Sequence, residues 1–279
     1  MQPHERSFYL AAEARRHDPD RYLCALFAPA ERRDAVLALV LLHHELARVP
    51  DVVSQPMAGY IRYQWWRDAL AEIDQGEGPR RHPVVLALAQ AFREGWVAGP
   101  ALQALIDARE RELDEVVAED LPALERYVAA TSGALQAIIY RALGGNAPAE
   151  AEAATAIGTA FGLVGIARAV AHGMRHRRQS LPAGLLRPAA AVDEASTAQP
   201  LAGAIGAVLE RVEALLTAGR ARAGRPTRAV MAAFLPATLA AGYAVRIRRL
   251  DCDPIRAAGL TRPATAPLQL LAHVLLRRP

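Results

Sequence analysis

A group of polar residues follows a strongly apolar stretch in the segment HHELARVPD, residues 43–51. Its histidines, carboxylates and arginine are types that bind metal ions or anions. Adjacent histidines on a helix point about 100° apart, so His43 and His44 cannot easily coordinate the same metal ion. The sequence therefore favours polar side chains satisfied at a helix end over a metal site.

A second histidine-rich segment is AVAHGMRHRRQSLP, residues 169–182. His172 and His176 have the four-residue spacing of zinc ligands on a helix. Gly173 weakens the helix between them, and the arginines at positions 175, 177 and 178 would repel a cation. An arginine group of this kind suits an anion better than a metal. An anion site and a solvated loop are the two interpretations that remain.

The aromatic segment IRYQWWRDALAEI, residues 61–73, has the spacing of an amphipathic helix. Trp66, Leu70 and Ile73 repeat at helical intervals, which predicts that they belong to the core. Trp65 must then face elsewhere, and we expect it to line a groove or a partner surface. In contrast, RERELDE, residues 109–115, alternates charges and predicts a solvated helical face.

Helices are the elements that must position these side chains. Apolar residues make up 52% of the chain, and alternating strand patterns bounded by hairpin signals are missing. We predict one all-α domain over residues 1–279 with about eight to ten helices. Proline stands at or just before the start of several helical patterns, at Pro56, Pro83, Pro100, Pro122, Pro148 and Pro200. Glycine stands where such patterns stop, at Gly76, Gly78, Gly95, Gly99, Gly144 and Gly145.

Two stretches depart from the simple helical pattern. Residues 181–200, LPAGLLRPAAAVDEASTAQP, predict a surface excursion within the domain. The longest uncharged run covers residues 229–245 and is interrupted by Pro236 and Gly242. These interruptions predict a buried helix rather than a membrane span.

Charge and cysteine content exclude some classes of function. The formal net charge is +4, with no long basic tract and no zinc-finger spacing, so we expect no nucleic-acid binding. Cys24 and Cys252 lie far apart and form no disulfide framework, which fits a reducing compartment. Because the N-terminal segment lacks an apolar signal core, we expect a cytoplasmic protein.

The order of the segments along the chain resembles the squalene/phytoene synthase family, from about residue 7 to residue 254. The resemblance lies in the succession of helices and framework residues rather than in catalytic motifs. It implies a single all-α domain with the isoprenoid-synthase fold, a helical bundle with a central cavity. The segments that carry it are FAPAERRDAVLALVLLHHELARVPD, RYQWWRDALAEIDQG, HPVVLALAQAF, LERYVAATSGALQAIIYRALG, IGTAFGLVGIARAVAHGMRHRRQSLPAGLL and FLPATLAAGYAVRIRRLDCDP.

Active members of that family join two isoprenyl diphosphates head to head. Two aspartate-rich segments on facing helices hold the magnesium ions that neutralise the leaving diphosphate. The first motif, DDxxD, aligns with Ala47, Arg48 and Asp51, so two of its three carboxylates are absent. The resemblance therefore implies that one aspartate has been replaced by a cation.

The second motif has no acidic residue left in this sequence. Its acidic positions fall on Ala169, His172 and Gly173. The framework positions Arg168, Arg178, Leu181 and Pro182 match, whereas Ser180 stands in place of a tyrosine. The resemblance thus implies a pseudoenzyme with no cofactor, in which magnesium–diphosphate binding is lost. A residual head-to-head prenyl-diphosphate transferase is an alternative.

The segments HHELAR and QWWRDAL resemble a degenerate subgroup that includes a mitochondrial assembly factor for respiratory complex I. This resemblance implies a non-catalytic assembly or binding factor, whose partner is a respiratory-complex subunit or an assembly intermediate. Because no transit peptide is evident, we expect a bacterial cytoplasmic protein with peripheral contact to the inner membrane. The C-terminal segment LQLLAHVLLRR is amphipathic and suits a lipid surface, a partner helix or a docked core helix.

Two further hypotheses remain open, an isoprenoid- or lipid-binding protein and an enzyme with altered chemistry. In the lipid-binding hypothesis, Arg48, Arg168 and Arg178 would hold an anionic head group. An open cavity lined by alanine and leucine favours lipid binding, whereas an interior filled by side chains favours assembly. The candidate ligand-binding residues at the cavity mouth are His44, Arg48, Asp51, Gln64, Arg168 and Arg178.

Overall fold

The structure is a computed structural model that describes residues 2–114, 118–175, 181–186 and 198–279. Within these ranges the chain is helical and contains no β-strand. The helices before residue 143 are α1 (Pro3–His17), α2 (Pro19–Ala25), α3 (Ala30–Ala47), α4 (Val49–Val52), α5 (Pro56–Asp74), α6 (Pro83–Arg93), α7 (Gly99–Glu110), α8 (Leu121–Val128) and α9 (Ala134–Ala142). Those that follow are α10 (Pro148–Arg175), α11 (Ala183–Leu186), α12 (Ala198–Ala223), α13 (Pro236–Arg248), α14 (Pro254–Ala258) and α15 (Ala266–Leu276).

Proline and glycine mark the helix ends as the sequence predicts. Helices α5, α6 and α10 begin at Pro56, Pro83 and Pro148, where the missing N–H and the fixed φ of proline are tolerated. Gly76 and Gly95 follow α5 and α6 with φ values of 79° and 67°, a left-handed conformation that favours glycine. Gly99 differs from the expectation, because it starts α7 instead of ending a helix.

Helix α10 forms the centre of the bundle together with α9 and α12. A π-helical stretch, Ala129–Gly133, joins α8 to α9 and packs against α10. A Cβ atom at Gly158 would lie 2.6 Å from the backbone oxygen of Ser132 and 3.0 Å from Cα of Gly133. The absence of a side chain at Gly158 therefore lets the two backbones approach closely.

Apolarity does not by itself identify a membrane-crossing segment in this chain. Residues Pro148–Met174 of α10 are long and apolar enough to span a bilayer, with a mean hydropathy of 1.5. In the structure, 61% of an 18-residue apolar window within this range is buried, as in a core helix. The uncharged run at residues 229–245 is also buried: it forms a 3-10 turn, Met231–Ala233, and most of α13. The prediction of a buried helix there is confirmed.

The predicted surface excursion begins with a docked turn. Leu181 is buried, and the backbone N–H groups of Ala183 and Gly184 donate to the carbonyl oxygens of Ala118 and Glu119. These bonds hold α11 against the segment before α8, so the excursion does not start at residue 181. Residues 187–197 of the predicted excursion lie outside the described residues.

Candidate functional site at the end of helix α3

The HHELAR segment lies at the C-terminal end of helix α3, at one end of the bundle. Its apolar residues from Ala35 to Leu42 are all buried, which fixes the helix in the core. The helix ends at Ala47 because Pro50 cannot donate an N–H to continue it. Arg48 then links α3 to the short helix α4, on which Asp51 is exposed.

The two adjacent histidines point to different neighbours, as helix geometry predicts. His43 is buried, and its Nε2 atom accepts a hydrogen bond from Nη2 of Arg109 at 2.8 Å. Burial first, and then the charge of Arg109, hold the pKa of His43 well below its usual value. His43 is therefore a neutral acceptor inside the bundle.

His44 lies on the other side of the helix and stacks on His17 of α1. The two ring centroids are 4.2 Å apart and the planes differ by 20°. Partial burial first, and then the neighbouring His17, lower the pKa of His44. Within the described residues, the buried Nε2 atom of His44 has no hydrogen-bond partner. His44 thus retains one polar atom that is available to a ligand or a water molecule.

Arg48 and Gln64 are exposed and contact acidic residues of their own helical segments. Nη1 of Arg48 lies 3.4 Å from Glu45, and the Arg48 side chain is 43% exposed. The Gln64 amide donates to Asp68 at 2.6 Å. Such groups can form hydrogen bonds and ion pairs with another macromolecule, and they contribute little to stability where they stand. Their predicted role as ligand-binding residues stays a prediction.

Arg168 of α10 makes several contacts within the protein. Its guanidinium carbon lies 4.0 Å from the ring centroid of Tyr243, and Nη2 donates to the carbonyl oxygen of Leu260 at 2.9 Å. Nη1 lies 3.8 Å from a carboxylate oxygen of Asp20, which also accepts a hydrogen bond from the Tyr243 hydroxyl at 2.9 Å. Burial raises the pKa of Tyr243 to about 12. Arg168 therefore ties α2, α10 and α13 together.

The remaining predicted site residue, Arg178, lies outside the described residues, as do His176 and Arg177. The anion site predicted for this arginine group therefore stays a prediction. Helix α10 continues through Gly173 to Arg175, so Gly173 does not end the helix before that point. His172 lies on its exposed side.

The turn between α1 and α2 contacts both His44 of α3 and Arg168 of α10, which are far apart in the sequence. Asp18 caps α2 by accepting from the backbone N–H of Arg21 and also pairs with its guanidinium, both at 2.9 Å. Arg21 is buried and donates to the hydroxyl of Ser132 at 2.6 Å. With His17 on His44 and Asp20 beside Arg168, the segment His17–Arg21 spans this end of the bundle. The Asp-Pro pair of this segment signals a helix start but not these contacts.

A buried arginine behind His43 corrects the prediction for RERELDE. Arg109 is only 8% exposed, so its part of the segment is not a solvated face. Nη1 donates to the carboxylate of Glu112 at 2.7 Å and to the hydroxyl of Tyr127 at 2.8 Å. We call His43, Arg109, Glu112 and Tyr127 the buried polar cluster. Glu112 and Tyr127 share Nη1 and His43 pairs with Nη2, whereas Nε has no hydrogen-bond partner within the described residues. The paired Nη groups offset part of the cost of burying the charge.

A small pocket lies beside these groups, and a larger one of about 270 Å³ lies between α1, α3 and α6. The pocket between α2, α3, α9 and α13 has a volume of about 10 Å³, room for about one water molecule. Gln136 lines it and donates to the carbonyl oxygen of Ala233 at 2.7 Å. This pocket is far smaller than an isoprenoid chain would need.

The donor groups at the end of α3 do not fit a magnesium cluster. At the positions where the resemblance to the family would place the first aspartate-rich motif, the side chains are those of Ala47, Arg48 and Asp51, which offer one carboxylate and one cation. Throughout residues 2–114, 118–175, 181–186 and 198–279, no group of three or more His, Cys, Asp or Glu side chains is placed to hold a metal ion. The exposed side chains here are suited to contact with a macromolecule.

The outer face of α5 carries the aromatic residues of the QWWRDAL segment. Trp66, Leu70 and Ile73 are buried, which confirms their place in the core. Trp65 is 36% exposed and faces outward as predicted. The Arg80 guanidinium lies 5.1 Å from the Trp65 ring centroid and fixes the indole from one side.

Known proteins resemble this chain in sequence over most of its length. The family model for squalene/phytoene synthase matches residues 14–269. The proteins named NADH dehydrogenase (ubiquinone) complex I, assembly factor 6, from Bos taurus and Homo sapiens are 33% identical to it over 168 residues. That match covers 60% of this chain and 50% of each relative, so the chain spans about half the length of the curated relatives it matches. A homolog of this factor from Drosophila melanogaster is 26% identical over 177 residues, 61% of this chain and 52% of the homolog.

Solved structures share the fold at low sequence identity. A dehydrosqualene synthase has a TM-score of 0.76 at 14% identity, covering 98% of this chain and 96% of that one. Squalene synthase HpnC from Alicyclobacillus acidocaldarius has a TM-score of 0.76 at 17% identity, covering 91% and 98%. The predicted all-α, isoprenoid-synthase-like bundle is confirmed.

Proposed function

Because the chain belongs to the squalene/phytoene synthase family, we propose that it is a non-catalytic member that assists the assembly of respiratory complex I. The observation that carries this proposal is the 33% identity to complex I assembly factor 6 over 168 residues. Since the match spans half of those relatives, the role and the partner are both part of the proposal. The partner would be a complex I subunit or an assembly intermediate.

The chemistry at the end of α3 supports a role without catalysis. Ionisation of a prenyl diphosphate needs metal ions that neutralise the leaving group. Arg48 and Asp51 cannot assemble such a cluster, and a single arginine does not replace several divalent ions. The pocket of about 10 Å³ between α2, α3, α9 and α13 is too small to enclose an isoprenoid chain at that place.

The lipid-binding alternative is weakened by the contacts of Arg168. A head-group-binding arginine must offer free N–H groups to the phosphate. Arg168 donates one N–H to Leu260, lies over Tyr243 and has the Asp20 carboxylate 3.8 Å from its Nη1, and this negative charge would repel a phosphate at the same guanidinium. We therefore propose contact with another protein rather than enclosure of a lipid.

The outer face of α5 is the surface that best fits such a protein partner. Met57, Ile61 and Trp65 follow each other at four-residue intervals and are 66%, 64% and 36% exposed. They form an apolar stripe, which we call the Trp65 face. Aromatic and long apolar side chains of this kind form the centres of protein interfaces.

We propose a bacterial cytoplasmic location at the periphery of the inner membrane. All basic residues other than histidine are arginine, which fits a GC-rich bacterial genome. Complex I is a membrane enzyme, so a factor acting on its subunits must work close to the bilayer. Localisation by fractionation of source cells tests this part separately.

The assembly role is tested by deleting the gene in the source organism and measuring assembled complex I and its NADH:quinone activity. We expect both to fall, and wild-type protein to restore them. Ile61→Asp on the Trp65 face should fail to restore them, whereas Ile255→Asp, at a 74% exposed site elsewhere, should succeed. An unchanged level of complex I in the deletion strain would overturn the assembly role.

The absence of catalysis has its own measurement. Purified protein is incubated with magnesium and farnesyl or geranylgeranyl diphosphate, and pyrophosphate release is followed. We expect release at the background rate. Robust formation of pyrophosphate with squalene or phytoene would instead establish an active prenyl transferase.

A further inference from the structure

Positive charge is concentrated in the last part of the chain. Residues 217–279 contain eleven arginines and only two acidic residues, Asp251 and Asp253. The whole chain has a formal net charge of +4, so the residues before this part carry a net negative charge. The C-terminal part is therefore strongly basic although the protein as a whole is not.

The fold brings two of these arginine groups together. Nε and Nη2 of Arg277 donate to the carbonyl oxygens of Pro226 and Arg225 at 3.0 and 3.2 Å. Arg220 donates from Nε to the carbonyl oxygen of Pro279 at 3.1 Å. The loop after α12 thus lies beside the end of α15, and Arg225, Arg228 and Arg278 are exposed there.

Helix α15 presents an apolar face next to these arginines. It docks on the bundle through Ala266 and Leu270, which are fully buried. Leu268, Leu271 and Leu275 are 69%, 44% and 59% exposed and follow at intervals of three and four residues, so they share a second face. The helix is therefore held by one face while another remains open to solvent.

We propose that this surface binds an anionic phospholipid membrane. We call it the C-terminal basic face, defined by Leu268, Leu271, Leu275 and the exposed arginines at positions 225, 228 and 278. The leucines enter the boundary between head groups and acyl chains, and the arginines bind lipid phosphates through their planar N–H forks. This assignment rests on the proposed peripheral location for its cellular setting.

Charge complementarity selects a membrane over a protein partner. Residues 217–250 and 254–279 contain no aspartate or glutamate. No carboxylate of these segments would therefore repel an anionic surface that approaches the leucines. Juxtaposed basic and apolar residues on one helix end are typical of interfacial membrane binding. A second copy of this chain would instead bring like charges together.

Flotation of the purified 279-residue chain with lipid vesicles tests the assignment. We expect binding to vesicles of phosphatidylcholine with phosphatidylglycerol, little binding to phosphatidylcholine alone, and a fall in binding as salt increases. Leu271→Ser with Leu275→Ser should abolish flotation. Arg225→Gln, Arg228→Gln and Arg278→Gln should each lower the partition coefficient about fivefold.

The matched control is Met57→Ser with Ile61→Ser, which removes from the Trp65 face two apolar side chains that are more exposed than Leu271 and Leu275. This variant should float like the wild type. Equal binding to both kinds of vesicle, loss of binding in the control, or a stable dimer that excludes vesicles would overturn the proposal. Because flotation uses purified protein and complex I is measured in cells, failure of the membrane site and failure of the assembly role are distinguishable.

Discussion

Helix α5 separates two groups of residues that are built from similar side chains and have opposite properties. On its inner side, the Tyr63 hydroxyl lies 3.1 and 3.2 Å from the backbone oxygens of Leu46 and Arg109, next to the buried polar cluster. On its outer side, Arg80 lies over Trp65, and both residues reach solvent. Each side therefore combines an arginine with aromatic rings.

The difference lies in how far each arginine is removed from water: Arg109 is 8% exposed and the Arg80 side chain is 27% exposed. Arg109 is out of water and directs its N–H groups to His43, Glu112 and Tyr127. Arg80 is partly buried and pairs with Glu72 at 2.6 Å near the surface, where solvent screens the pair and it adds little to stability. A desolvated charge must be matched from several directions, so the inner side is structural. The outer side retains contact area for a partner.

Replacing Arg109 by methionine is expected to cause the largest loss of stability. The change leaves the Glu112 carboxylate, the Tyr127 hydroxyl and Nε2 of His43 without their common donor. We expect the free energy of unfolding to fall by about 3 kcal/mol, measured by urea denaturation. Arg111→Met removes the same charge from an exposed position two residues away and should leave stability nearly unchanged. Equal losses in the two variants would contradict the distinction between buried and exposed arginines.

The buried polar cluster should also make stability depend on pH through His43. Burial lowers the pKa of folded His43 below its unfolded value of 6.5, so the unfolded chain binds more protons in acid. The stabilisation that depends on neutral His43 is fully present above about pH 6.5. As the pH falls below this value, the free energy of unfolding decreases by at most about 1.4 kcal/mol per pH unit. We expect the free energy of unfolding, measured by urea denaturation between about pH 5 and 7.5, to depend less steeply on pH in His43→Gln than in the wild type. The amide oxygen of the glutamine can still accept a hydrogen bond from Arg109. His4→Gln, on the exposed side of α1, should keep the wild-type slope.

Local signals in the sequence predict the helices and the direction of several side chains. Prolines mark the starts of α5, α6 and α10, and helical spacing identifies Trp66 as core and Trp65 as outward-facing. These features depend on residues a few positions apart, which a single sequence displays. The resemblance in helix order adds the fold, because it draws on the whole chain.

Contacts between distant residues are the part that the sequence does not display. Arg109 lies 66 positions from His43, and its alternating-charge segment is typical of a solvated face. Tyr243 lies 223 positions from Asp20, and no local sequence pattern around either residue predicts the hydrogen bond between them. Whether a charged side chain is buried depends on partners supplied by other helices, so the candidate site was predicted less completely than the fold.

A small effect on stability is expected for Trp65→Ala, which gives the sharpest functional contrast with Arg109→Met. Trp65 contacts Arg80 and the rings of Trp66 and His82 at the surface, so its removal should cost about 1 kcal/mol or less. Yet the variant removes the aromatic centre of the Trp65 face and should fail to restore complex I in the deletion strain. The reverse is expected for Arg109→Met grown at a temperature where it remains folded: weakened stability with assembly retained. If Trp65→Ala restored complex I in full while folded Arg109→Met did not, the functional surface would have to lie on the inner side of α5.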